Sequence, residues 1–358
     1  MSTSGLPQVP RVIVCLGAGA VGSVVGARLH KSARGGGTRV GLVGRGEHLD
    51  AVRRSGLHLD GKTIRLPAFS TLREAVDALG PPDRVILTVK AYDVEAAADE
   101  LARVLEGAPG PVVLCLQNGL GSEEAVARRL PGARVMAGAI TLSLTRPEPG
   151  RLAVLTEHGG IALAPFDTAP ADQGLVDALR RAGFRVRVTG RADAVKWSKV
   201  LLNLWANATC AAFAVPPEMV VSDRTLFHLD WAAFREALRV MRALGVPVID
   251  LPGYPVRLLT LLARVLPEEA FRRLVGPKVS GGRGGKLPSF LLDLRAGKER
   301  TEVDYLNGAV AAAGRRVGVD TPVNSALATA VAAAATARRA AAAHADTGDE
   351  VTASRDGL

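Results

Sequence analysis

The groups in this sequence able to do chemistry sit at the ends of apolar runs. Gly17, Gly19 and Gly22 follow the run 12–16 in the spacing G-x-G-x-x-G. In that spacing the first glycine permits a tight turn and the second lets backbone approach a pyrophosphate. The third lets the next helix pack closely on its strand. Gly17, Gly19, Ala20, Val21 and Gly22 are therefore the expected phosphate cradle, at the positive end of a helix dipole. About twenty residues past such glycines a fold that binds NAD usually carries an acid for the ribose 2′-hydroxyl. Here Gly44-Arg45-Gly46 stands in that region, and the first acid is Glu47. An arginine there pairs with a 2′-phosphate through two parallel bonds, so Arg45 points to NADPH rather than NADH.

Lys90 ends the apolar run 84–89, and Asn118 follows the run 111–116. Ligands of α/β sheets bind outside the carboxyl ends of the strands, which makes both residues candidate cofactor or substrate contacts. Lys199, Asn203 and Asn207 recur at i, i+4 and i+8 in the segment 193–209, whose other residues are largely apolar. One continuous helix would project all three from one face. A polar stripe on so apolar a helix is costly unless it lines a cavity. Only eight residues of the chain are lysine, so a lysine in such a place is not compositional filler.

The elements that must position these groups follow from the pattern. Strands are expected at 12–16, 39–43, 84–89, 111–116 and 134–140, alternating with helices, which implies a parallel sheet wound on both faces. Asp60-Gly61 between two short apolar segments signals a hairpin. The segment 141–188, with short strands at 152–155, 161–163 and 184–188 and a helix at 172–182, is expected to complete the sheet. From residue 192 the pattern becomes helical, with no convincing strand. The expected organisation is a flexible N-terminus at 1–10, a Rossmann-type domain at 11–190, a helical substrate domain at 191–343 and a disordered tail at 344–358. The glycine-rich loop 280–286 lacks a preceding apolar strand and is not expected to bind phosphate.

At 358 residues, 48% apolar and 22% charged, the chain is of ordinary globular composition and long enough for two domains. No apolar stretch reaches membrane-spanning length, and the N-terminus lacks a signal-peptide pattern, so a cytoplasmic protein is expected. Cys15, Cys115 and Cys210 are far apart in apolar contexts, and the six histidines are scattered; buried thiols and no metal are expected. The net charge of +10 would permit nucleic-acid binding, but the arginines are spread along the chain and aromatics are only 4%. A general arginine bias explains the charge better, so neither nucleic acid nor membrane is expected as a partner.

Taken in order, Gly17-Ala-Gly-Ala-Val-Gly22, Arg45, Lys90, Asn118-Gly119, Lys199 with Asn203 and Asn207, Ser289 with Asp293, and Thr301-Glu-Val-Asp-Tyr-Leu-Asn-Gly308 resemble the ketopantoate reductase family. The resemblance runs from about residue 11 to about residue 330. It implies NADPH-dependent reduction of 2-dehydropantoate to (R)-pantoate, in pantothenate and coenzyme A biosynthesis. A relative acting on another branched 2-oxo acid, or a non-catalytic NADPH-binding regulator, is the alternative. By that resemblance Lys199 donates a proton to the keto oxygen and Glu302 positions or tunes the site. Asn118, Asn203, Asn207 and Ser289 hold the substrate, and Lys90 lies near the nicotinamide. The partner is a small 2-oxo acid, with a homodimer as the candidate assembly.

Overall fold

The computed structural model describes residues 11–33, 37–156, 158–281 and 287–353. The chain divides into two compact units. The first is Met1–Lys199 with Ile249–Pro255, and the second is Val200–Val248 with Val256–Leu358.

The first unit opens with β1 (Val12–Leu16), α1 (Ala20–Ser32), β2 (Arg39–Val43) and α2 (Glu47–Ser55). The short strands β3 (Leu57–Leu59), β4 (Lys62–Ile64) and β5 (Ala68–Phe69) precede α3 (Leu72–Leu79). Then come β6 (Arg84–Leu87), α4 (Val94–Val104), β7 (Val112–Cys115), α5 (Ser122–Arg129) and β8 (Arg134–Ile140). The unit continues with β9 (Leu144–Glu148), β10 (Arg151–Val154), β11 (Ile161–Pro165), α6 (Gln173–Arg181) and β12 (Val186–Val188). Eight strands form the main sheet in the order β12-β11-β8-β7-β6-β1-β2-β5. The six from β8 to β5 are parallel, and β11 pairs antiparallel with β8.

Alternation along β1 shows why both faces must be covered. Ile13 and Cys15 enter one core with residues of α1 and α6, while Val12, Val14 and Leu16 enter another with residues of α3, α4 and α5. A strand buried on both faces reads as an unbroken apolar run, which is what made it visible in sequence. Local signals hold the helix ends: the Thr71 hydroxyl caps α3 by accepting from Glu74 N–H at 3.2 Å.

Several expectations need correcting. The segment after β8 does not simply complete the main sheet: β9 and β10 join β3 and β4 in a separate four-stranded sheet, β4-β3-β10-β9. Tertiary pairing decides this, with β10 lying parallel to β3, which is far away in sequence. The hairpin at Asp60-Gly61 forms, both residues at positive φ between the antiparallel β3 and β4.

The second correction concerns 193–209, which is two helices. α7 spans Ala192–Asn203 and crosses from the first unit into the second; α8 spans Ala208–Phe213. Between them Ala206 adopts φ +51°. The cause is buried Asp230, whose carboxylate accepts from Ala206 N–H and from the Thr209 hydroxyl. The two bonds to a charged acceptor offset the cost of a left-handed alanine.

The second unit continues with α9 (Pro217–Ser222), α10 (Arg224–Ala243), α11 (Val256–Val265), α12 (Glu268–Gly281) and α13 (Ser289–Arg295). After the 3-10 turn Glu302–Tyr305 come α14 (Asn307–Arg316) and α15 (Pro322–Ala353). The last helix runs to Ala353, past residue 343 where the sequence pattern placed its end and into the expected disordered tail: the alanine-rich run favours helix, and no proline follows Pro322 to stop it. The glycine-rich loop expected at 280–286 begins two residues later, since α12 runs to Gly281, and its remainder, 282–286, lies outside the described residues. Trp205, Phe227, Phe234 and Phe271 pack with ring centroids 5.0–6.5 Å apart and form the aromatic centre of this unit.

Candidate active site

In the first unit the sheet reverses its winding at β1. The chain passes from β1 outward through β2 and β5, then returns with β6 on the other side of β1. The carboxyl ends of β1 and β6 flank a topological switch point, where open α/β sheets bind ligands. Gly17 leaves β1 there at φ +115°, and a Cβ on it would press into the Thr88–Val89 backbone. A Cβ on Gly22 would run into the Gly17 carbonyl and the Thr88 hydroxyl. Thr88 Oγ1 itself donates to Gly17 O at 2.7 Å and ties the turn to the end of β6.

Gly19 differs: nothing lies within 4 Å of where its Cβ would be. Packing within the protein accounts for Gly17 and Gly22 but not for Gly19, where the open space leaves the backbone accessible to a phosphate. α1 carries no acid in its first turn and no side-chain cap on its first N–H groups, and both features suit an anion. The glycine turn, including Ala20 and Val21, thus fits the pyrophosphate of a dinucleotide. Arg45 is exposed, just beyond β2.

Leu16 is in register with Leu87, and Leu87 with Cys115. Lys90 and Asn118 are each three residues beyond the paired Leu87 and Cys115, so the parallel ladder sets them at equivalent strand ends. Both are half-buried. Lys199, also half-buried, lies in the same unit on α7.

Three residues that the sequence reading passed over connect these positions. Lys196, 5% exposed, donates from Nζ to the Gln117 carbonyl at 2.7 Å. The same Nζ stands 3.1 Å from Glu123 Oε1, an ion pair by proximity rather than an aligned hydrogen bond. Burial pushes the Glu123 carboxyl up, and the Lys196 ammonium pulls against it. The Gln117 side chain donates from Nε2 to Leu87 O at 3.0 Å and Val89 O at 3.3 Å. The scarcity of lysine was the available signal for Lys196; nothing local marked Gln117 or Glu123.

In the second unit the break after α7 moves Asn207 off the α7 helical face while Asn203 keeps its place on it. Asn207 is buried, and its Oδ1 accepts from Phe290 N–H at 3.3 Å. That bond brings Asn207 beside Ser289 at the start of α13 and leaves the amide Nδ2 as its donor. Asp293 pairs with Lys298 at 2.6 Å. Glu302 is buried in the 3-10 turn that Thr301 caps, its hydroxyl accepting from Val303 N–H. Among the described residues no group of three or more His, Cys, Asp or Glu is placed to hold a metal ion, and no helix is long and apolar enough to cross a membrane.

A glycine turn at the switch point of a doubly wound sheet, in a chain with a second helical unit, defines a dinucleotide-fold protein with an appended helical unit. The comparisons place it further. The model of the family "Ketopantoate reductase PanE/ApbA" matches residues 13–168, and that of its C-terminal part matches residues 191–335. A 2-dehydropantoate 2-reductase of Halobacterium salinarum is 32% identical over 320 residues, covering 87% of this chain and 94% of that protein. One from Archaeoglobus fulgidus is 31% identical over 89% of this chain and 96% of that one. The chain belongs to the ketopantoate reductase family, a family of oxidoreductases. Among solved structures, a PanE/ApbA family ketopantoate reductase from Ralstonia eutropha superposes with a TM-score of 0.74 at 26% identity, covering 92% of this chain and 99% of that one. D-mandelate dehydrogenase in ternary complex with NADH and anilino(oxo)acetate shares the fold, with a TM-score of 0.74 at 23% identity over 91% of this chain and 99% of that one.

Proposed function

We propose that this chain reduces 2-dehydropantoate to (R)-pantoate with NADPH. The observation that carries the reading is the set of polar strand ends at the switch point, with Gly17, Lys90 and Asn118 on the adjoining β1, β6 and β7 exits. Relatives at 31–32% identity named 2-dehydropantoate 2-reductase support the choice of substrate.

Bound at the glycine turn, the dinucleotide supplies the hydride. The protein's own groups do the rest. Hydride arriving at a ketone carbon builds negative charge on its oxygen, which Lys199 Nζ neutralises and protonates. Asn118, Asn203, Asn207 and Ser289 hold the carboxylate and hydroxyl of the substrate, Asn207 through Nδ2 because its Oδ1 is committed to Phe290. Lys90 contacts the site near the nicotinamide end, and Glu302 helps position or tune the site. Arg45 holds the 2′-phosphate. The protein works within pantothenate synthesis, in the cytoplasm.

The test is a panel of 2-oxo acids, branched and unbranched, each assayed with NADPH and NADH. The highest kcat/KM is expected for 2-dehydropantoate with NADPH. A higher value for another branched 2-oxo acid would move the reading to that substrate, and no oxidation with any acid would overturn it.

A further inference from the structure

We propose that Lys196, acting with Glu123 and Gln117, is the positioning residue of the catalytic site: it sets Asn118, Lys90 and Lys199 relative to one another. The inference rests on the proposed reductase activity for its catalytic readout and on geometry alone for the rest.

A carbonyl and the following N–H share one rigid peptide plane. The Gln117 carbonyl, to which Lys196 Nζ donates at 2.7 Å, belongs to the plane that carries Asn118 N–H. Anchoring that oxygen sets the plane from which the Asn118 side chain departs. The Gln117 side chain repeats the device one strand over. Its Nε2 donates to Val89 O, and that carbonyl lies in the plane carrying Lys90 N–H. Lys196 is itself three residues before Lys199 on α7, a neighbouring position one turn away. A single ammonium thus connects the helix bearing the proposed acid to two strand ends bearing the proposed ligand contacts.

Stability does not account for this arrangement. Lys196 and Glu123 are almost fully buried, with side chains 6% and 3% exposed. A buried pair gains little over apolar side chains of similar volume, because desolvation cancels most of its attraction. Glu123 in this reading holds the Lys196 ammonium in place and balances its charge. The lysine supplies several donors from one point, so it reaches a carbonyl and a carboxylate together. Methionine would fill its volume and reach neither.

The variants separate geometry from folding. Lys196→Met alone leaves Glu123 buried without its counter-charge and is expected to destabilise the protein. The double variant Lys196→Met/Glu123→Leu removes both charges and is expected to melt within a few degrees of the parent or above it. With 2-dehydropantoate it should lose roughly 10- to 100-fold in kcat, the cost of an ångström-scale misplacement, and its KM for the keto acid should rise. Dissociation of NADPH alone, measured by fluorescence, should stay within about threefold, since the glycine turn is held by Thr88. Backbone amides of 117–121 should exchange with solvent faster than in the parent.

Kinetics within twofold of the parent in the folded double variant would overturn the proposal, as would unchanged exchange at 117–121. If the parent itself reduces no 2-oxo acid, the proposed function fails, and amide exchange still decides the positioning role.

Discussion

At the scale of single residues, the account turns on side chains and their company. In the glycine turn, a Cβ on Gly19 would meet no protein atom, and the proposed dinucleotide is what would require a glycine there. Gly19→Ala should leave the melting temperature of the dinucleotide-free protein unchanged while weakening NADPH binding, since its φ of −79° suits alanine. Gly22→Ala should lose both, because its Cβ would collide with the Gly17 carbonyl. Thermal melting with and without NADPH separates the two cases; equal effects would remove the distinction. Arg45 belongs to the same scale. Exposed beyond β2, it should act through charge, so Arg45→Asp should shift the ratio of kcat/KM values toward NADH by tenfold or more. No shift would remove Arg45 from the 2′-phosphate.

At the scale of elements, His48 ties α2 to α1 and to the turn between β9 and β10. It lies on α2 and is 5% exposed. Its Nδ1 accepts from Gly150 N–H at 3.0 Å, so its Nε2 carries the hydrogen that faces Ser23 Oγ at 3.1 Å. Ser23 follows Gly22 on α1. Burial, reinforced by the charge of Arg146, lowers the His48 pKa to about 4. The folded state therefore favours the neutral ring. Its contribution is present in full above the unfolded value of about 6.5, declines as pH falls from there, and is lost by about 4. The loss is on the order of 3 kcal/mol at 1.36 kcal/mol per pKa unit. Urea unfolding across that window should show the decline in the parent, and His48→Gln should show a shallower one. Parallel curves would remove His48 as the source.

The elements also show what could be read in advance. The central strands of the main sheet were legible because burial on both faces leaves continuous apolar runs, and the hairpin because Asp-Gly suits positive φ; the two-residue edge strand β5 carries no such run and was not read. The break between α7 and α8 was not, since Ala206 and its neighbours carry no local stop signal. Its cause is Asp230, which comes from α10. The second sheet was illegible for the same reason, its β3 and β10 being joined only by tertiary pairing. Among the site residues, the glycines, Lys90 and Asn118 stood out as polar or small groups ending apolar runs, and Lys199 as part of a polar stripe on an apolar helix. Gln117 and Glu123 did not, because a buried polar side chain looks like a surface one until its partners are known.

At the scale of the whole molecule, the chain is a ketopantoate reductase family member along nearly its whole described length, with family models matching 13–168 and 191–335. The three cysteines are buried thiols. Burial pushes Cys15 up to about 12, and Cys115 is likewise raised by burial, so neither is a reactive nucleophile at neutral pH. That leaves lysine chemistry at the centre of the account. The most direct measurement is the steady-state oxidation of NADPH by 2-dehydropantoate in the parent and in Lys199→Ala, with NADPH binding checked separately. The account predicts that kcat falls by about 10²- to 10⁴-fold, the range for losing a positioned general acid, while NADPH still binds. An unchanged kcat in Lys199→Ala would contradict it.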